Sequence, residues 1–237
     1  MSGRRAPAWT LMVIAVAVPS AVLASVSGAA TVDRQAERGE QIRVGDTVPP
    51  PSACERVIVI GDSLTDNSEP WIRSGLTDAG HEHFVDAQPS RRIPGHVRPP
   101  YSGVRAALAA RAAFGEADCW MIGLGSNDLI FGADQPAGAA AMIDEMLAAV
   151  SPGAMVWWVN VNYHRDPRTS FDFPRASRVF NAALDTFAAT HERFVVIDWY
   201  TYSEAHIGWF FDPVHVDRAG SIARAELTVA ALPPSSP

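Results

Sequence analysis

Val57-Ile58-Val59-Ile60-Gly61-Asp62-Ser63-Leu64 is a run of β-branched residues that stops abruptly at a glycine, an acid and a serine. Four apolar residues without polar alternation fit a strand buried on both faces, as in a parallel sheet. Ser63 then stands at the carboxyl end of that strand, beside the crevice where open α/β sheets bind ligands. Turn N–H groups there can point at a developing negative charge. A serine at this position also serves as an ordinary helix cap, so the stretch speaks for the fold before it speaks for any chemistry.

Working outward, further apolar runs suited to buried strands lie at 83–87, 120–124, 155–161 and 194–198. Helical patterns separate them at 70–79, 102–114, 136–150 and 174–192, and a last one follows at 218–232. Asn67 and Ser68 read as caps of the first, with Pro70 in its opening turn. In 174–192, Val179, Ala183 and Phe187 form a stripe at spacings of four. Alternation of strand and helix predicts a three-layer α/β/α architecture around a doubly wound, five-stranded parallel sheet of order 2-1-3-4-5. In that order the crevice opens between the first and third strands, so the turns 61–65 and 125–129 meet there.

The amino terminus is a different material. Arg4 and Arg5 precede an apolar stretch, 9–24, and then small residues including Ser25, Gly28, Ala29 and Ala30. That layout predicts a secretory signal over 1–30, with an uncleaved anchor as the alternative. Residues 31–53 are polar and end in Pro49-Pro50-Pro51, the pattern of an extended linker. The folded domain is expected over 54–232, with an unstructured tail at 233–237. Removing 1–30, which holds two arginines and no acids, takes the formal charge from −7 to −9. An acidic surface repels phosphate backbones, which argues against nucleic acid as a partner.

Cys54 and Cys119 are the two cysteines of the chain, each just ahead of a strand-like run. If those strands are parallel neighbours, both sulfurs lie at one end of the sheet and can be joined, as an oxidising destination favours. Two buried free thiols are the alternative. His81-Glu82-His83 lacks a third ligand at a useful spacing, so neither metal nor cofactor is expected.

Two downstream motifs add chemistry. Gly125-Ser126-Asn127-Asp128 places at a strand end an asparagine whose amide can donate to an oxyanion, or close an Asx-turn. Asp212-Pro213-Val214-His215 precedes the last helix and offers a base with an aspartate to orient it. A serine needs such a base, because its hydroxyl is a poor nucleophile until its proton is taken.

Together the three blocks resemble the SGNH or GDSL hydrolases, whose sequences begin with a G-D-S serine, contain a G-x-N-D asparagine and end with D-x-x-H. The resemblance spans roughly 57–220. It implies Ser63 as nucleophile, Asp212 and His215 as its partners, and an oxyanion hole of the Ser63 N–H, the Asn127 side chain and a second backbone donor. The family usually has a glycine for that donor. Here the corresponding stretch reads Asp86-Ala87-Gln88-Pro89-Ser90-Arg91-Arg92, and Ser90 takes the glycine's place, with Gly95 as rival; the Ser90 N–H serves if the turn avoids positive φ.

Asn160, Tyr163 and Trp209 are the candidates for contacting substrate, being polar or aromatic and close to the expected crevice. The resemblance implies a serine esterase acting on small-molecule or carbohydrate-linked esters, and with the amino-terminal signal pattern the expectation is an exported enzyme, as a monomer. An O-acyltransferase acting on envelope or extracellular carbohydrate, and a non-catalytic glycan-binding module, are the alternatives.

Overall fold

The computed structural model of the chain describes residues 42–44 and 53–236. Strand β1 is Ile42–Val44, β2 Arg56–Gly61, β3 Glu82–Ala87, β4 Cys119–Gly123, β5 Met155–Val159 and β6 Phe194–Ile197. The helices are α1 Ser63–Asp78, α2 Gly103–Phe114, α3 Pro136–Ala149, α4 Phe173–Thr190, the short α5 Trp199–Glu204 and α6 Arg218–Ala230. Sheet order is β1-β6-β5-β4-β2-β3. Strands β2 to β6 are all parallel, and counted alone they have the expected order 2-1-3-4-5.

Strand β1 adds an antiparallel edge, pairing Ile42 with Ile197 and Val44 with Val195. It falls within 31–53, read from sequence as a linker, so a piece of that stretch carries sheet structure; the signal 1–30 lies outside the described residues. The carboxyl tail differs too. Ser235 Oγ donates to the Ala79 carbonyl at 3.0 Å and the Ser236 N–H to Glu55 at 2.9 Å, so the expected loose tail is pinned through residue 236.

Each central strand is apolar on both faces because helices cover both. Ile58, Ile60, Trp120, Ile122 and Trp158 pack toward α2, α3 and α4, whereas Val57, Val59, Met121 and Trp157 pack toward α1 and α6. Burial of Ile58 or Ile60 contributes about 1.5–3 kcal/mol each. In α4 the buried stripe runs through Phe173, Ala176, Phe180, Leu184 and Phe187. Val179 and Ala183, expected on it, sit at its half-buried edge, because Phe180 and Leu184 offer more area to the sheet.

Helix α1 begins earlier than the sequence suggests. Asp62, not Asn67 or Ser68, caps it by accepting the Leu64 N–H at 3.0 Å, and Pro70 lies inside the helix. The consequence is positional: Ser63 becomes the first residue of α1, at the positive end of its dipole. The disulfide between Cys54 and Cys119 is formed, with Cα atoms 5.7 Å apart, at the amino ends of β2 and β4.

Candidate active site

Gly61 ends β2 where a side chain would collide with Thr65, so the chain can turn tightly into Asp62 and Ser63. The Ser63 Oγ lies 2.9 Å from His215 Nε2. On the other side of the ring, His215 Nδ1 lies 2.7 Å from Asp212 Oδ2. The second oxygen of Asp212 accepts the backbone N–H groups of Val214 at 2.8 Å and His215 at 2.7 Å. Burial pushes the Asp212 carboxyl up, but those N–H bonds and the imidazole outweigh it and hold the group below the usual carboxylate range. An ionised Asp212 keeps the proton on Nδ1, leaving Nε2 to accept the serine proton. Serine, histidine and aspartate therefore form one continuous hydrogen-bonded line.

The three anion-binding candidates flank this line. The Ser63 N–H, at the first position of α1, meets no acceptor among the described residues, and neither does the Ser90 N–H. Ser90 occupies the third position of a turn closed by the Arg91 N–H on the Gln88 carbonyl at 3.1 Å, with Pro89 second. Its φ is +63°. The sequence reading required negative φ here; the structure instead gives Ser90 the backbone of the glycine it replaces, as a type II turn demands. Gly95, the rival, has its N–H bonded to Glu145 at 2.9 Å, so it has no donor to offer.

Asn127 stands beside them, reached by a turn in which Gly125 has φ +128°. Its Nδ2 donates to Asp62 at 3.3 Å and to the Arg91 carbonyl at 3.2 Å. Both amide hydrogens are thus shared with protein acceptors near the upper limit of hydrogen-bond length.

Asp62 was missed as a site residue and is the hub of the arrangement. Only 1% exposed, its carboxylate accepts from Leu64 N, Ser126 Oγ and Asn127 Nδ2. Burial raises its pKa, opposed by the Ser126 bond and by the Arg224 guanidinium. Arg224 is 2% exposed on α6, and burial pushes its own pKa down to about 10. The sequence signal for Asp62 was its place ahead of a helix, where aspartate caps; Arg224 gave none.

The substrate-contact candidates separate. Asn160 is buried, donates to Asp198 at 2.9 Å and accepts the Tyr200 N–H at 2.6 Å, so its amide fastens the start of α5. Trp209 stacks with His206, at 4.1 Å, and Trp199, at 6.4 Å, and packs against the core on the α1 and α6 face. Tyr163 stays near the site: it stacks on Phe173 at 3.9 Å, and burial raises its pKa with help from Asp166 and Asp212. An exposed ring beside the hydrogen-bonded line is Phe211, 67% accessible and nearly parallel to His215 at 6.0 Å. Among the described residues no group of three potential metal ligands occurs, and no helix is long and apolar enough to cross a membrane.

A doubly wound sheet of this order, with serine, asparagine and histidine motifs converging at its carboxyl edge, is the SGNH-hydrolase fold. The particular structures it resembles include the catalytic domain of peptidoglycan O-acetyltransferase A from Streptococcus pneumoniae, at TM-score 0.56 and 18% identity over 78% of this chain and 99% of that one. A member of the lipolytic G-D-S-L family from Veillonella parvula gives 0.56 and 19% over 73% and 96%. An arylesterase-like protein from Agrobacterium tumefaciens gives 0.56 and 18% over 74% and 97%. No family model matches the sequence, and no curated protein does.

Proposed function

We propose that the chain is an exported serine esterase that works by acyl transfer. His215 takes the Ser63 proton through Nε2 as Oγ attacks the ester carbonyl, forming a tetrahedral intermediate. The carbonyl oxygen becomes an oxyanion and accepts from the Ser63 and Ser90 N–H groups and from Asn127, which exchanges a long neutral bond for a charged acceptor. Collapse breaks the ester C–O bond, the imidazolium protonates the departing alcohol, and an acyl-Ser63 remains. His215 then deprotonates a water that attacks the acyl carbon and restores the serine.

The observation that carries the reading is the line Ser63 Oγ, His215, Asp212, with contacts of 2.9 and 2.7 Å. Export is supported by the amino-terminal pattern and by the disulfide, which suits an oxidising compartment. The test is hydrolysis of p-nitrophenyl acetate by purified protein. Ser63→Ala should lower kcat by on the order of 10⁴-fold or more, as loss of a triad nucleophile does. Unchanged turnover in that variant would overturn the proposal.

A second reading keeps the acyl-enzyme but delivers it to a carbohydrate hydroxyl. The exposed flank at Phe211 leaves room for a bulky acceptor, and one similar structure is a peptidoglycan O-acetyltransferase. Acetyl donor mixed with a chitooligosaccharide separates the two: acetylated sugar in excess of free acetate supports transfer, and acetate alone supports hydrolysis. The assembled hydrogen-bonded line speaks against a module that only binds glycan.

A further inference from the structure

We infer that Arg91 is the positioning residue of the anion-binding side of the site, a single side chain that aligns the three groups receiving the acyl oxygen. This rests on the acyl-transfer reading above. Arg91 is 2% exposed. A guanidinium leaves water at high cost unless its donors are taken, and here four of the five are. Nη1 donates to the Gly61 carbonyl at 3.2 Å and the Asp86 carbonyl at 2.6 Å. Nη2 donates to the Asp86 carboxylate at 2.7 Å, and Nε to the Pro100 carbonyl at 3.1 Å. One planar fork thereby ties the end of β2, the end of β3 and the loop before α2.

The tie to Gly61 leads to one oxyanion donor, and the Arg91 backbone, held by the other ties, contacts the remaining two. Gly61 lies two residues before Ser63, so the first bond fixes the turn that presents the Ser63 N–H. The backbone of Arg91 closes the turn around Ser90, and its carbonyl receives Asn127 Nδ2 at 3.2 Å. Serine does not favour φ +63°, and such a conformation persists only where its surroundings over-determine it. The fastened guanidinium supplies that constraint. Four of its five N–H donors are held by the protein and the side chain is buried, so Arg91 acts through Ser63, Ser90 and Asn127 and not on substrate. Lysine, a point charge with no planar fork, cannot reach three carbonyls and a carboxylate together.

The test is a double-mutant cycle on the full chain with p-nitrophenyl acetate, reading kcat and KM, with a thermal melt of each variant. Arg91→Met should lower kcat by roughly 10- to 100-fold with KM changed less than about threefold, and Arg91→Lys should recover part of the loss. In an Asn127→Ala background the same change should cost less than roughly fivefold, because one donor it aligns is already gone. Equal fold losses in both backgrounds, or an unchanged kcat, would overturn the inference and leave Arg91 a role in stability alone. Should Arg91→Met not fold, Arg91→Lys is compared across the two backgrounds by the same criterion. Absence of turnover by the unmodified protein would sink the acyl-transfer reading and this inference together. Turnover that needs Ser63 but ignores Arg91 sinks only the latter.

Discussion

Ser90 carries a cost that a glycine would not, since a left-handed backbone disfavours any Cβ by about 1–2 kcal/mol. Ser90→Gly is therefore expected to stabilise the protein, by somewhat under that amount because glycine also gains freedom in the unfolded chain. Ser90→Val, β-branched at positive φ, should destabilise it; urea midpoints for the pair give the check, and a matching response to both would mean the turn is not strained. Asp128 makes a second prediction, in pH. Burial pushes its carboxyl up to about 7, against hydrogen bonds from the Ile93 N–H and attraction from Arg92. The unfolded chain releases this proton near pH 3.9 and the folded protein near 7, so between those values the folded state binds more protons and its stability falls as pH rises. Asp128→Asn removes that slope: its melting temperature relative to the parent should be higher at pH 8 than at pH 5. An equal difference at both pH values would show that Asp128 is not held protonated by burial.

Helix α1 shows how much of an element can be read locally. Its existence was legible, but its start was not, because Pro70 and the plausible caps Asn67 and Ser68 all argue for a helix beginning near residue 70. The true cap is Asp62, whose bond to the Leu64 N–H outcompetes the alternatives once Ser126 and Asn127 arrive to satisfy the rest of the carboxylate. Pro70 is then trapped inside, exposed, and costs the helix a hydrogen bond at Asp66. Pro70→Ala is expected to raise stability by about 2–2.5 kcal/mol, the interior-proline cost of about 3 less the entropy proline removes from the unfolded chain. A lower urea midpoint in this variant would mean that the proline is needed where it stands. Edge strand β1 was not legible for a related reason: three residues pairing with a distant strand have no local signature.

Across the molecule, the motifs on the chain were legible because the doubly wound order sends the ends of β2 and β4 to one crevice whatever the side chains do. Asp62–Arg224 and the tie of Arg91 to Gly61 were not, because their partners are brought together only by the finished fold, from 30 and more residues away. The same geometry separates stability from chemistry. Cys54 and Cys119 join the amino ends of β2 and β4, and Ser63 stands beyond the carboxyl end of β2, a strand of 6 residues. At about 3.3 Å per residue the bridge lies about 20 Å from Ser63. Cross-linking positions 65 residues apart removes enough freedom from the unfolded chain to contribute about 4 kcal/mol in the chain-entropy model. The Cys54→Ala, Cys119→Ala double variant should therefore unfold at a markedly lower urea concentration. Wherever circular dichroism reports it folded, however, its kcat/KM on p-nitrophenyl acetate should stay within about twofold of the parent. Activity lost while the fold persists would mean that strain travels along β2 to Ser63, and that the two ends of the sheet are not independent.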